Sequence, residues 1–319
     1  MPPDVRVLVD DGVVVCPACR GRLDRAEEAA SCVICSRSYP LVDGTVPVLL
    51  TETSLFTAED VIGRRHTHYR RKAGENRWKQ RLRRSLPSLA SDAGAATVEE
   101  ILRRECAAGG LGVVVGGGER VGAMEARVPQ VQWLVGDVDL SYGAHLVADA
   151  GALPIADGAA DVVVAEMVLE HVPDPFLAAG ELQRVVRDGG LVVVTVPFCF
   201  PWHGIPWDFH RFTPTGLRLL LDRTEVVHLG PGQGPAGAVA YLADALLVNA
   251  SGRRFIRMAL AFVSRFVFGW LKWLDRGRSG AGPLVSAGSL TYVGRKVVAP
   301  IPRRRLVAEV EALWPGGRR

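Results

Sequence analysis

The sequence predicts an α/β protein in which a parallel sheet carries helices on both faces and is preceded by a small ribbon held by cysteines. Three observations predict it. From Leu111 onward, short apolar runs alternate with helical stretches, the pattern of strands joined by helical crossovers. The first run, LGVVV (111–115), feeds directly into GGG (116–118), a turn at which side chains are disfavoured and something must pack close. Near the N-terminus, four of the six cysteines fall into two CxxC pairs.

The ribbon comes first. Cys16, Cys19, Cys32 and Cys35 follow the spacing C-x2-C-x12-C-x2-C, so that two tight turns each present two thiolates to one tetrahedral ion, with zinc the first choice. Four cysteine ligands leave no position for water, which makes the ion structural. A redox disulfide or two unrelated turns are the other readings, and two matched pairs argue against them. The ribbon is placed at 1–51 and closes with YPLVDGTVPVLL, punctuated by Gly44 and Pro47. A unit this small depends on its metal, so metal loss is expected to unfold the ribbon and leave the larger domain folded. Cys106 and Cys199 stand alone, and Cys199 reads as a small buried hydrophobe.

With 319 residues and 48% hydrophobic content the chain can bury a large core. Its net charge is only +4, but Lys and Arg concentrate in 64–84 and 253–278, where anionic partners would meet them. Residues 52–110 read as a basic helical linker with a break at SLPSLASDAGAAT, 111–300 as the α/β domain with a helical insertion at about 236–280, and 301–319 as a basic tail. The opening MPPDVRVLVDDGVVVC lacks the order of a secretion signal, and the expected location is the cytoplasm.

Strands are expected at 111–115, 131–138, 144–150, 161–168 and 190–198, and a helix in DPFLAAGELQRVVRDGG, whose Phe176, Leu177, Leu182, Val185 and Val186 keep helical spacing before Gly189 and Gly190 end it. In such a sheet a ligand binds beyond the carboxyl ends of the strands. Polar residues stand at those ends: Asp137 and Asp139 after the second strand, Asp149 with Ala150 after the third, and Glu166 to His171 after the fourth. An acid after the second strand can accept both hydroxyls of a ribose, and one after the third an adenine amino group. Together they describe an adenosine site.

The glycine run does not complete a dinucleotide fingerprint, because Gly116 and Gly118 are followed by Val121 where a third glycine is required. Instead DVDLS (137–141), ADAGALPIADGAADVVVAEMVLEHVPDP (148–175) and LQRVVRDGGLVVVTVPF (182–198) resemble the class I S-adenosylmethionine-dependent methyltransferases, of methyltransferase type 11 kind, over about Leu111 to Phe198. The resemblance implies a Rossmann-like sheet. It also implies that Gly116, Gly117 and Gly118 lie under the methionine part of the cofactor, that Asp139 holds the ribose, that Asp149 and Ala150 face the adenine, and that Glu166 belongs to the same site. The cysteine ribbon resembles zinc-ribbon domains fused to or partnered with methyltransferases, and PFCFPWHGIPWDFHRFTPTGLRLLL (197–221) resembles methyltransferases of bacterial polysaccharide and glycolipid gene clusters. Two departures stand out. Val114 occupies the position, two before the first glycine, where the family has an acid, and the stretch from Asp139 to Asp149 is too short for a helical crossover.

The loop after the fifth strand gathers His203, Asp208, His210 and Arg211 among Trp202, Trp207 and Phe209. Either His203 or His210, with Asp208 as partner, could take the proton from an attacking hydroxyl. Trp207, Arg211 and His171 are the expected substrate contacts, with Arg211 meeting an acidic or phosphate group. The rival readings are a folded lid whose histidines only hydrogen-bond backbone and, for His171, a structural role in which it caps the helix that follows or packs against the glycine loop. Residues 254–276 combine cations with Phe255, Phe262, Phe266, Trp270 and Trp273, and read either as an interfacial helix at the inner membrane face or as a core helix with a cationic outer face. The function expected is O-methylation of a saccharide, lipid-linked glycan or related small molecule. Its rivals are an RNA base methyltransferase gripping nucleic acid through the ribbon and 64–84, and a non-catalytic methyltransferase-like partner.

Overall fold

The computed structural model describes residues 3–26, 28–63, 87–90, 93–116, 121–140, 143–204, 206–276 and 282–313. The basic stretch 64–84, Gly117 and Gly118 lie outside them. Ribbon residues form β1 (Leu23–Arg25), β2 (Ala29–Cys32), β3 (Ser38–Val42) and β4 (Val46–Leu49). The later strands are β5 (Gly110–Val115), β6 (Val131–Asp137), β7 (Leu146–Ala148), β8 (Ala160–Glu166), β9 (Val186–Pro197), β10 (Thr224–Gln233) and β11 (Ser289–Lys296). Among the described residues these strands join in one sheet of order β1-β2-β3-β4-β7-β6-β5-β8-β9-β11-β10. From β4 to β9 all pairings are parallel, and β11 runs antiparallel between β9 and β10.

The helices are α1 (Val5–Asp10), α2 (Ala58–Ile62), α3 (Ala93–Glu105), α4 (Val121–Arg127), α5 (Pro175–Val185), α6 (Pro214–Leu220), α7 (Pro235–Asn249), α8 (Arg254–Phe268) and α9 (Arg303–Ala312). Strands covered on both faces read as near-continuous Val runs, and the pleat divides them between two cores. Val113, Val115, Val163, Ala165, Val192 and Val194 face α5 and α6, meeting Ala178, Leu182 and Leu217. Val114, Val162, Val164 and Val193 face α3 and α4, meeting Val98, Leu102, Met124 and Val128. Each such valine contributes roughly 1.5–3 kcal/mol by leaving water. Asp174 caps α5 by accepting from the backbone N–H groups of Phe176 and Leu177, both at 3.0 Å, with Pro175 at the first helical position. The result is the Rossmann-like α/β fold. The chain leaves β5 for β6 and β7 on one side, then returns to place β8 on the other, so the switch point lies where β5 and β8 end.

The ribbon is joined to this sheet through backbone pairing. β4 lies parallel to β7, with Val48 beside Val147 and Leu49 beside Ala148. Val15 N–H donates to the Pro154 carbonyl and Ala156 N–H to the Val13 carbonyl, both at 2.9 Å, so residues 13–15 are zipped to the loop after β7. The C-terminal segment is likewise docked: Leu306 of α9 is buried, and Glu309 Oε2 accepts from Nε of the fully buried Arg218 at 2.8 Å. The insertion forms α7 and α8, whose mutual contact includes a hydrogen bond from the Ser264 hydroxyl to Asp244.

Candidate active site

The cysteines come together as the spacing predicts. Their four sulfurs lie within 4.8 Å of one another, with Cys19 and Cys32 at 3.4 Å and Cys16 and Cys35 at 3.7 Å. The two knuckles repeat one geometry. Arg20 N–H donates to the Cys16 carbonyl and Ser36 N–H to the Cys32 carbonyl, and both Arg20 and Ser36 sit in the left-handed region at φ 61° and 57°. Ligands about 2.3 Å from a tetrahedral zinc stand roughly 3.8 Å apart, so the donor set fits that ion. Burial pushes the Cys32 thiol up, but the backbone N–H groups of Cys35 and Ile34 outweigh it and draw the thiol down to about 7.

On the carboxyl edge, Gly116 closes β5 with φ +64°, and a Cβ there would stand 2.6 Å from Val168 Cγ2. The backbone of the turn therefore touches the segment after β8, and only glycine fits. Asp137 and Asp139 are buried at the end of β6, and the Asp139 N–H donates to Asp137 Oδ1 at 2.9 Å. β6 and β7 lie side by side and parallel: Asp137 pairs with Val147, and His145 Nδ1 accepts the Val135 N–H at 3.1 Å. Asp149 Oδ1 accepts the Gly151 N–H at 2.7 Å, which curls the loop over buried Ala150. Arg184 of α5 holds that loop from below, donating to the Leu153 and Ile155 carbonyls at 2.9 and 2.7 Å and to Asp157 and Glu181. The hydrogen bond from Arg184 holds the Asp157 carboxyl below its usual range. Val114 is buried in the apolar layer under α3 and α4, with Val98 and Met124.

A cavity of about 290 Å³ opens at the ends of β8, β9 and β11, lined among others by Glu166, Met167, Thr195, Phe200, Tyr241 and Thr291, and by Val98 and Met124 of the helices beside β5. Met167 occupies the left-handed region at φ 55°, and its N–H donates to the Thr195 carbonyl at 2.8 Å. A non-glycine residue held this way at a strand end is a feature of sites under functional constraint. Neither Met167 nor the threonines could be found from sequence, since their neighbours are simple apolar strand residues.

The loop after β9 closes the same edge, and Phe200 links it to the cavity, its ring 5.2 Å from His203 and 4.8 Å from Tyr241. Three of the predicted residues meet here. His203 Nδ1 stands 3.2 Å from Asp208 Oδ2, the same oxygen that accepts the His203 N–H at 2.9 Å. His171 Nδ1 bonds the Trp207 carbonyl, and its ring meets His203 edge to face at 5.0 Å. Burial would raise the Asp208 carboxyl, but the Arg211 guanidinium and His203 override it and hold it at about 2.

Other assignments change. Arg211 does not face an open acceptor: its donors go to Asp208 at 2.5 and 2.8 Å and to the Phe200, Pro201 and His210 carbonyls, which makes it a brace of the loop. His210 turns away, with Nε2 3.2 Å from the Pro173 carbonyl. The Trp207 ring packs edge to face on Phe56 at 5.7 Å, between the loop and the segment before α2. Sequence reasoning also missed Glu170. Within LEHV it is fully buried, its backbone carbonyl accepts the Phe209 N–H at 2.7 Å, and its carboxylate faces both His171 and His203.

Comparison with known proteins agrees with the fold. A family model described as a methyltransferase domain matches residues 120–194. An uncharacterized methyltransferase of Mycobacterium avium (strain 104) is 35% identical over 123 residues, covering 34% of this chain and 48% of that relative. Another, from Mycobacterium sp. (strain KMS), is 45% identical over 53 residues, covering 17% of this chain and 21% of the relative. The chain thus spans half or less of the length of these curated relatives. Among solved structures, a geranyl diphosphate C-methyltransferase from Streptomyces coelicolor A3(2) aligns over 64% of this chain and 81% of its own at 16% identity and a TM-score of 0.37.

Proposed function

We propose that this chain is an S-adenosylmethionine-dependent methyltransferase acting on an oxygen of a saccharide, lipid-linked glycan or related small molecule. The observation that carries the reading is that the Gly116 turn, buried Asp139 and the Asp149–Ala150 loop stand at the carboxyl ends of the neighbouring parallel strands β5, β6 and β7, with Glu166 at the end of β8 lining a cavity. These residues fit a cofactor bearing a ribose and an adenine. When bound, S-adenosylmethionine supplies an electrophilic methyl group on a sulfonium. This chain's residues then have three tasks: Asp139 orients the ribose, Phe200 and Tyr241 exclude water, and His203 Nε2 takes the acceptor proton, with Asp208 supporting the charge that forms on its ring.

The acceptor class draws support from α8. Of this helix only Ser264 is buried, while Phe255, Met258, Phe262, Val263 and Phe266 are exposed alongside Arg254 and Arg257. That distribution argues against a core helix and for a surface that lies in a membrane interface, where a lipid-linked acceptor would be met. Among the described residues no helix is long and apolar enough to cross a membrane.

Calorimetry with S-adenosylhomocysteine tests the cofactor half. Saturable binding is expected, weakened about ten- to a hundredfold in Asp139→Ala, because a lost hydrogen bond to a charged group costs about 1.5–3 kcal/mol. A folded parent protein that does not bind would instead support a non-catalytic partner.

A further inference from the structure

We propose that Glu170, His171 and His203 form a binding site for one divalent transition-metal ion, separate from the cysteine cluster and next to Phe200 of the cavity wall. Glu170 is fully buried, and among the described residues neither of its carboxylate oxygens has a hydrogen-bond partner. A buried carboxylate without partners costs several kcal/mol, so a cation is expected to face it. Facing it are two imidazole nitrogens, His171 Nε2 at 3.7 Å and His203 Nε2 at 3.6 Å, both measured to Oε1. Both distances exceed the reach of an N–H···O hydrogen bond. They match two ligands of a common ion, since atoms about 2.1 Å from one metal stand roughly 3.4–3.6 Å apart at tetrahedral to trigonal angles.

The far side of each ring gives independent support. His171 Nδ1 bonds the Trp207 carbonyl, and His203 Nδ1 faces Asp208 Oδ2 at 3.2 Å and the Pro201 carbonyl at 3.4 Å. Carbonyl and carboxylate oxygens only accept, which favours the hydrogen on Nδ1 of both rings, although the Arg211 guanidinium also stands 3.5 Å from His203 Nδ1; in the neutral rings each Nε2 then offers a lone pair toward Glu170. Metal-binding histidines are oriented in this way, with the other ring nitrogen donating to a carbonyl or a carboxylate. Arg211 attracts Glu170 electrostatically, but its N–H groups go to Asp208 and to the Phe200, Pro201 and His210 carbonyls, and none bonds the Glu170 carboxylate.

Two imidazoles and one carboxylate suit zinc, manganese, iron or cobalt, and three protein ligands leave a position for an oxygen from solvent or acceptor. The side chains of His171 and His203 are 25% and 32% exposed, so that position is reachable. The inference rests on side-chain geometry. The ion's role in the reaction rests on the methyl-transfer reading and revises it in one respect: an ion held there would occupy His203 Nε2, which then could not take the acceptor proton. The ion would instead lower the pKa of an acceptor hydroxyl, so that its proton passes to solvent.

The test counts zinc by elemental analysis in the full-length protein after equilibrium dialysis against micromolar Zn2+, without cofactor or acceptor. Parent protein is expected to hold one more zinc per chain than Glu170→Gln or His203→Ala, a difference that does not depend on the cysteine site. Because Glu170 is buried, thermal melts accompany each variant, and His203→Ala, at a partly exposed position, decides the matter if Glu170→Gln fails to fold. Equal zinc content in the parent and a folded His203→Ala would overturn the site. Binding of S-adenosylhomocysteine, measured on the same samples, reports separately on the cofactor reading.

Discussion

Val15 donates its backbone N–H to the Pro154 carbonyl at 2.9 Å, one residue before the first cysteine of the ribbon. Pro154 belongs to the loop that begins at Asp149 and Ala150, so the cysteine cluster and the adenine side of the candidate cofactor site share a backbone. β4 strengthens the link by running beside β7, the strand that delivers that loop.

A bound zinc should therefore support cofactor binding as well as the ribbon. Stripping the protein with a chelator, or substituting Cys16→Ser, is expected to weaken S-adenosylhomocysteine binding by about three- to thirtyfold, the equivalent of losing one or two backbone hydrogen bonds at the loop. Calorimetry with and without chelator checks this. Unchanged affinity in demetallated protein would mean that the loop is held by Arg184 alone.

Stability should fall as the solution is acidified below about pH 6.5, in part through His145. Burial holds its imidazole below the ordinary value of 6.5, with Glu125 pulling weakly the other way. Its Nδ1 also accepts the Val135 N–H, a bond that only the neutral ring can make. Burial lowers His228 as well. The unfolded chain takes these protons near pH 6.5 while the folded chain resists them, so stability is lost as pH falls through that value, by at most about 1.4 kcal/mol per pH unit for each group. His145→Asn keeps an acceptor without a proton to gain, and urea midpoints between pH 7.5 and 5.5 should give it a shallower slope than the parent.

Arg218 anchors the C-terminal helix. It is fully buried, donates to the Leu221 and Thr224 carbonyls at 2.6 Å each and to Glu309 at 2.8 Å, and lies over the Tyr292 ring. Arg218→Met leaves those acceptors without their donor and is expected to cost about 3–5 kcal/mol in denaturant unfolding. Arg218→Lys, which cannot reach all three at once, should recover only part of the loss. A loss below about 1 kcal/mol for Arg218→Met would show that α9 docks through Leu306 without the ion pair.

Vesicles containing anionic lipid are expected to recruit the protein, and added salt to release it, because Arg254 and Arg257 lie beside the exposed apolar side chains of α8. Phe255→Ser with Phe262→Ser should weaken co-sedimentation at low salt. Protein that forms a concentration-dependent dimer and ignores such vesicles would assign the apolar face to a second copy of the chain.

Local pattern was enough to read the strand runs, the glycine turn after β5, the acids after β6 and β7, and the cysteine knuckles, because each depends on residues only a few positions apart. The alternation of Val113, Val114 and Val115 between two cores follows from the pleat alone. Partnership across the chain was decided by the tertiary structure. Arg211 reads as a free cation until Asp208 folds under it, and 254–268 reads equally as a core helix until its apolar side chains are seen to be exposed. Glu170, a polar residue in an apolar run, gives no sign of burial until the loop after β9 closes over it and brings His203 to its carboxylate. Periodicity fixes which face a residue takes within its own element, but the charge and hydrogen-bond partners that determine its chemistry come from segments distant in sequence, and those are set only when the chain has packed.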